Sequence, residues 1–270
     1  MAFAKSRIMA AAALMALGAC TTAAPPQAAA PASIYDGKAV LDVAIAAAGG
    51  EAALGKVKEL YWTGHAKVTA GDKVTELEVA TVVRPFESAR FTTWPKTDGA
   101  RKGHTLQVEQ GKAWDVTRVT WNPLPEAQAD NENQQMKLYS AMLLAPLKAS
   151  GVTVKEQPVG ADGTRAIQTS AHGLAVELEF DASGKLVRAG GNVRDPKGGA
   201  DIAQIATFSG EVENNGVKWP KTISITQNGA PFFDLEITHF EALPEKVVRP
   251  LEQSMQYDPK AVVPGEGDAG

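Results

Sequence analysis

Hydrophobic residues recur along this chain first at helical spacing and then at every second position. Over residues 36–48, Val40, Val43, Ala44 and Ala47 share one helical face, and Gly49-Gly50 ends the run. A shorter helix is predicted over 51–58. The period then changes to two. Residues 59–68 put Leu60, Trp62, Ala66 and Val68 opposite Tyr61, Thr63, His65 and Lys67, and residues 73–83 set Leu77, Val79 and Val83 against Glu76 and Glu78. The cleanest alternation is 174–180, with Leu174, Val176, Leu178 and Phe180 on one side and Glu177 and Glu179 on the other. Asp181-Ala182-Ser183-Gly184 turns this strand into another over 185–193. Ile223 and Ile225 alternate within 222–227, Asn228-Gly229 marks a hairpin, and Phe233, Leu235 and Ile237 align within 232–240, a row that His239 extends. One helical stretch interrupts the strands: over 130–150, Met136, Tyr139, Ser140, Leu143, Leu144 and Leu147 are three or four apart, with Pro146 set to kink or shorten it.

The order is thus two short helices, about five strands, a helix and about six more strands. Alternation on nearly every strand leaves each one polar on one face, as in an antiparallel sheet with helices on its apolar side. The fold class expected is mainly β (α+β), and a sheet of this size is expected to curl. No internal repeat or linker divides the body, so 34–262 reads as one domain.

What precedes that body changes the picture. Lys5 and Arg7 lead into an apolar run from Ile8 to Leu17, too short for a membrane-spanning helix of about 20 residues. Leu17-Gly18-Ala19-Cys20 follows, and Cys20 is the only cysteine in the chain. This resembles the bacterial lipobox, which implies a signal peptide over 1–19 and a Cys20 carrying diacylglycerol and an amide-linked acyl chain. Several acyl chains make membrane attachment effectively permanent. Residues 20–33, rich in Ala and Pro, form a tether, and 263–270 read as a disordered tail. Thr21 takes the place of the aspartate that retains such proteins at the inner membrane of enteric bacteria, which points to the outer membrane, facing the periplasm.

Charge and chemistry narrow the function by exclusion. The net charge is −4, and loss of Lys5 and Arg7 with the signal moves it to −6, which argues against nucleic acid as a partner. The four histidines are far apart in sequence, no GxSxG elbow occurs, and Cys20 is committed to lipid. The near-match to a phosphate loop at 50–57 fails at Val57, where a hydroxyl must reach magnesium. Paired acids such as Glu76 with Glu78 lie opposite apolar rows, as on a solvated sheet face. No catalytic residue, metal site or cofactor is expected.

The segment AAAGGEAALGKVKELYWTGHAKV, residues 46–68, resembles the opening of the LolA/LolB-like periplasmic lipoprotein carriers and acceptors. The end of the chain is similar too, with Gly216-Val217-Lys218-Trp219-Pro220, a strand, Asn228-Gly229, a further strand and Leu243-Pro244. The resemblance implies a half-open antiparallel barrel, its concave face apolar and covered by helices, with acyl chains accepted between. Leu174, Val176, Leu178, Phe180, Ile223, Ile225, Phe233 and Leu235 would then line a hydrophobic cavity, with Met142 and Leu143 in its lid. Periodicity does not separate a lined cavity from a packed core. Trp121 and Leu124, set among prolines, form either an exposed apolar loop or residues buried under the lid. The expected function is a membrane-anchored envelope lipoprotein that binds a lipid or a lipoprotein acyl chain in trafficking. The alternative is an envelope interaction scaffold or stress sensor without a cavity, its partner another envelope protein.

Overall fold

The computed structural model describes residues 36–97, 103–117, 120–160 and 162–248. The expected signal peptide, Cys20, the tether and the tail lie outside the described residues. Helices α1 (Lys38–Ala47) and α2 (Glu51–Leu54) precede strands β1 (Glu59–Ala70), β2 (Lys73–Arg84), β3 (Ser88–Pro95), β4 (His104–Glu109), β5 (Lys112–Val116) and β6 (Trp121–Pro123). Helix α3 (Glu126–Met142) and a 3₁₀ turn (Ala145–Lys148) follow. The chain then makes β7 (Thr153–Glu156), β8 (Arg165–Ala171), β9 (Leu174–Phe180), β10 (Leu186–Val193), β11 (Ile202–Ser209), β12 (Val212–Asn214), β13 (Val217–Trp219), β14 (Thr222–Gln227) and β15 (Ala230–Leu243).

All but β12 and β13 join one 13-stranded sheet in the order β6-β5-β4-β3-β2-β1-β15-β14-β11-β10-β9-β8-β7. Its neighbours are antiparallel throughout. The first and last strands therefore meet in the middle of the sheet. Helix α3 connects its two edges, β6 and β7, and in doing so touches β2, β4 and β5 as well as β9 and β10.

The expected half-open barrel is not formed. The sheet is open and not strongly curled, and β6 and β7 each pair with one neighbour only. Size alone did not require curling, because open sheets of about 8–15 strands occur. Its edges are also poor partners for each other. Strand β6 is three residues long and includes Pro123, which has no N–H to donate. The free side of β7 is bridged by Asp36 opposite Lys155, with Gly37 N–H donating to the Val154 carbonyl at 3.3 Å.

Strand β1 holds a second departure. Its register with β15 shifts between Thr63 and Gly64, so that Thr63 faces His239 while Gly64 faces Ile237. A bulge of one residue reverses the facing of everything beyond it. Phe240 and Ala242 therefore point inward and are buried, whereas His239, expected on the apolar row, is exposed. Gly64 permits the bulge: a Cβ there would stand 2.3 Å from the Glu236 carbonyl oxygen.

The helices differ from expectation at their ends. α1 and α2 are shorter than predicted, and α3 begins earlier, at Glu126, because its first ten residues are nearly all polar and carry no apolar period. Pro146 ends the helical run as predicted, sitting in the first positions of the 3₁₀ turn. Among the described residues no helix is long and apolar enough to cross a membrane.

Candidate functional site

The apolar face of the sheet and the inner side of α1, α3 and the 3₁₀ turn enclose one hydrophobic cluster. Leu174, Val176, Leu178, Phe180, Ile223, Ile225, Leu235, Met142 and Leu143 are all buried within it, and Phe233 packs against it half-buried. Strand alternation thus brought eight of the named side chains to one interior, and the end of α3 added Met142 and Leu143. That interior is nearly full. Leu174 and Val176 border a void of about 20 Å³, and Met142 borders one of about 40 Å³. Sites for small organic ligands usually measure about 300–1,000 Å³. Wider recesses lie at the periphery: about 260 Å³ beside Arg84, Arg90 and Gln107, and about 300 Å³ between α1 and residues 147–154. None of the ten residues lines either.

Aromatic rings knit the cluster under α3. Trp62 meets Tyr139 edge-on at 5.1 Å and stacks on Trp219 at 6.0 Å, and Trp219 stacks on Phe240 at 5.9 Å. Burial pushes the Tyr139 phenol upward, with the charge of Glu132 adding to the effect. Trp219 enters on the β12–β13 hairpin, which is pinned by Lys218 N–H to the Ala48 carbonyl at 2.9 Å and by Asn215 Nδ2 to the Ala242 carbonyl at 2.8 Å. Gly49 makes that docking possible: its φ is +123°, and a Cβ would lie 1.9 Å from the Gly216 carbonyl oxygen.

The seam of α3 against the second half of the sheet is polar. Asn131 Nδ2 donates to the Arg194 carbonyl at 2.6 Å, the Arg194 N–H donates to Gln134 Oε1 at 2.6 Å, and Gln135 Nε2 donates to Gln204 Oε1 at 3.0 Å. Asn133 Oδ1 and Thr169 Oγ1 are buried without a hydrogen-bond partner. Half-buried Glu132 also lacks one among the described residues, and desolvation pushes its carboxyl up to about 7. None of this was legible beforehand, since a run such as Asp130-Asn131-Glu132-Asn133 reads as a solvated face.

Past α3 the backbone is strained. Leu144 has φ +62° and ψ −49°, and Ala145 N–H donates to the Leu143 carbonyl at 2.7 Å. That is a γ-turn of the rare, strained form, built on a fully buried leucine.

The exposed-loop pair divides. Trp121 is 51% exposed and meets Trp114 edge-on, whereas Leu124 is half-buried against the core. Three histidines form surface pairs, His65 with Glu78, His104 with Asp115 and His239 with Glu241, and His172 stacks on Phe86. Among the described residues, no group of three or more His, Cys, Asp or Glu is placed to hold a metal.

No family model matches this chain, and no curated protein does. Solved structures do. A LolA superfamily protein from Nitrosomonas europaea aligns with a TM-score of 0.51 at 8% identity, over 82% of this chain and 97% of that one. A DUF1329 family protein from Desulfovibrio piger aligns with a TM-score of 0.51 at 10% identity, over 77% of this chain and 93% of that one. The likeness is one of fold. It agrees with the entry and closing segments that resemble the LolA/LolB-like proteins, and at this identity it assigns no ligand.

Proposed function

We propose that this protein is a non-catalytic lipoprotein of the bacterial cell envelope, anchored through Cys20 to the outer membrane. Its body takes up a hydrophobic ligand, a lipid or a lipoprotein acyl chain, between the apolar sheet face and α3. The observation that carries this reading is the unequal hold on α3. Its C-terminal half is sunk in the aromatic and aliphatic cluster, while its N-terminal half rests on amide contacts to Arg194 and Gln204. Such a cover can lift at one end without baring the whole core. Each methylene entering the gap gains about 0.8 kcal/mol, so a long chain offsets the lost contacts. Exposed Trp121 is suited to touch lipid or a client when cargo passes.

The small interior voids favour a second reading, a scaffold or stress-sensing lipoprotein that binds an envelope partner and no lipid. Native mass spectrometry of the full chain with Cys20→Ser, expressed without detergent, separates the two. Lipid adducts, recovered also by organic extraction, are expected for the carrier. Bare protein from lipid-rich cells, still bare after incubation with fatty acid or phospholipid, would overturn it.

A further inference from the structure

The 40 Å³ void lies where the end of α1, the β9–β10 turn and the β12–β13 hairpin converge. Lys185, Glu211 and Lys218 stand on its lining, together with Met142 and Leu144, which belong to the buried core. It therefore connects charged side chains to the apolar interior. Packing leaves three features of it unexplained. Trp219, part of its wall, carries a buried indole N–H with no hydrogen-bond partner, a loss of about 1–3 kcal/mol. Among the described residues the Lys185 ammonium has no ion-pair or hydrogen-bond partner, whereas Lys218 reaches Glu211 at 3.7 Å. The carboxylate nearest in sequence, Asp181, feels the Lys185 charge without a direct contact, and its hydrogen bonds come from Ser183 and the Lys185 backbone N–H. Finally, the strained γ-turn at Leu144 forms part of the lining.

An unsatisfied donor, a cation with no direct ion pair and backbone strain meet at one recess, a combination suited to a hydrogen-bond acceptor. A void of about 40 Å³ admits little more than one water, whose share of liquid volume is about 30 Å³, so entry of a chain requires a local shift of the Met142–Leu144 segment, with room for the chain made where the N-terminal half of α3 lifts. Relaxing the γ-turn supplies part of the energy for that movement, as strained segments do at ligand clamps. Resting on the uptake of an apolar ligand argued above, we infer that this recess is the entrance to the interior and that it selects single-chain amphiphiles with an anionic head, of the fatty carboxylate class. The chain passes Met142 and Leu144. The head stays at the mouth, where its oxygens accept charge-assisted hydrogen bonds from Lys185 and a hydrogen bond from the Trp219 indole.

The test is a titration of cis-parinaric acid, a fluorescent long-chain fatty acid, and of its methyl ester into the full chain carrying Cys20→Ser. The acid is expected to bind roughly tenfold more tightly than the ester. Lys185→Glu should erase that preference. Trp219→Phe should weaken both probes, because carboxylate and ester carbonyl alike accept from the indole; its lost stacking on Trp62 and Phe240 lowers the melting temperature of the unliganded protein, so binding is compared well below that temperature. Equal binding of acid and ester, or a preference that survives Lys185→Glu, would overturn the entrance while leaving lipid uptake standing. Failure of both probes to bind the unsubstituted recess would overturn uptake and entrance together.

Discussion

Glu132 makes the folded state sensitive to pH in a direction opposite to that of most carboxylates. Its carboxyl is pushed up to about 7 in the fold from 4.5, because burial penalises the charged form. The folded state therefore binds more protons than the unfolded one between these values, and stability falls as pH rises through that window. A displacement from 4.5 to about 7, at about 1.4 kcal/mol per pH unit, amounts to about 3 kcal/mol. Solvent at the exposed edge of the side chain trims this to about 1–3 kcal/mol. Glu132→Gln keeps the shape and nearly the helix propensity while removing the charge. The chain with Cys20→Ser, with and without Glu132→Gln, should be unfolded in urea from pH 4 to pH 8. The two should coincide at pH 4, and the glutamine form should be more stable by about 1–3 kcal/mol at pH 8. Tyr139 is the titratable neighbour coupled to Glu132, and burial holds it neutral across the range, so it does not confuse the comparison. A difference that stays constant with pH, or no gain at pH 8, would show that Glu132 is solvated and that this part of α3 seats more loosely than described.

Three further substitutions probe the framework. At Leu144, whose φ is +62°, Gly should be more stable than Ala by about 1 kcal/mol, reversing their usual order; chemical denaturation of both variants decides it. Gly64→Ala should cost about 2 kcal/mol or more, read from the urea midpoint, because its methyl carbon would stand 2.3 Å from the Glu236 carbonyl oxygen. Glu59 is fully buried and accepts from Arg84 Nε at 3.1 Å, so Arg84→Met should destabilise by about 3 kcal/mol. Pairing it with Glu59→Leu should recover part of that loss, because a buried carboxylate that has lost its Arg84 partner costs more than no charge; a double variant weaker than the single would contradict this.

Local rules in the sequence determined which segments became strands and which side of each is apolar. Residues 174–180 and 222–227 are β9 and β14 to the residue, and the expected turns at Gly184 and at Asn228-Gly229 both form, with positive φ at Gly184, Asn228 and Gly229. Turn chemistry and a two-residue period act over a few residues, so a linear reading recovers them. Tertiary structure decided the rest. The pairing of β1 with β15 joins the two ends of the body, and nothing in either strand alone names its partner. The bulge that turns His239 outward arises from that pairing, and the openness of the sheet depends on what its edge strands lack as neighbours. The same holds for chemistry. Glu132, Gln204 and Trp219 gained their character from what folded over them, since a side chain's solvation is set by neighbours distant in sequence. Periodicity specified an apolar wall, and only the placement of α3 determined that the space before it stands closed.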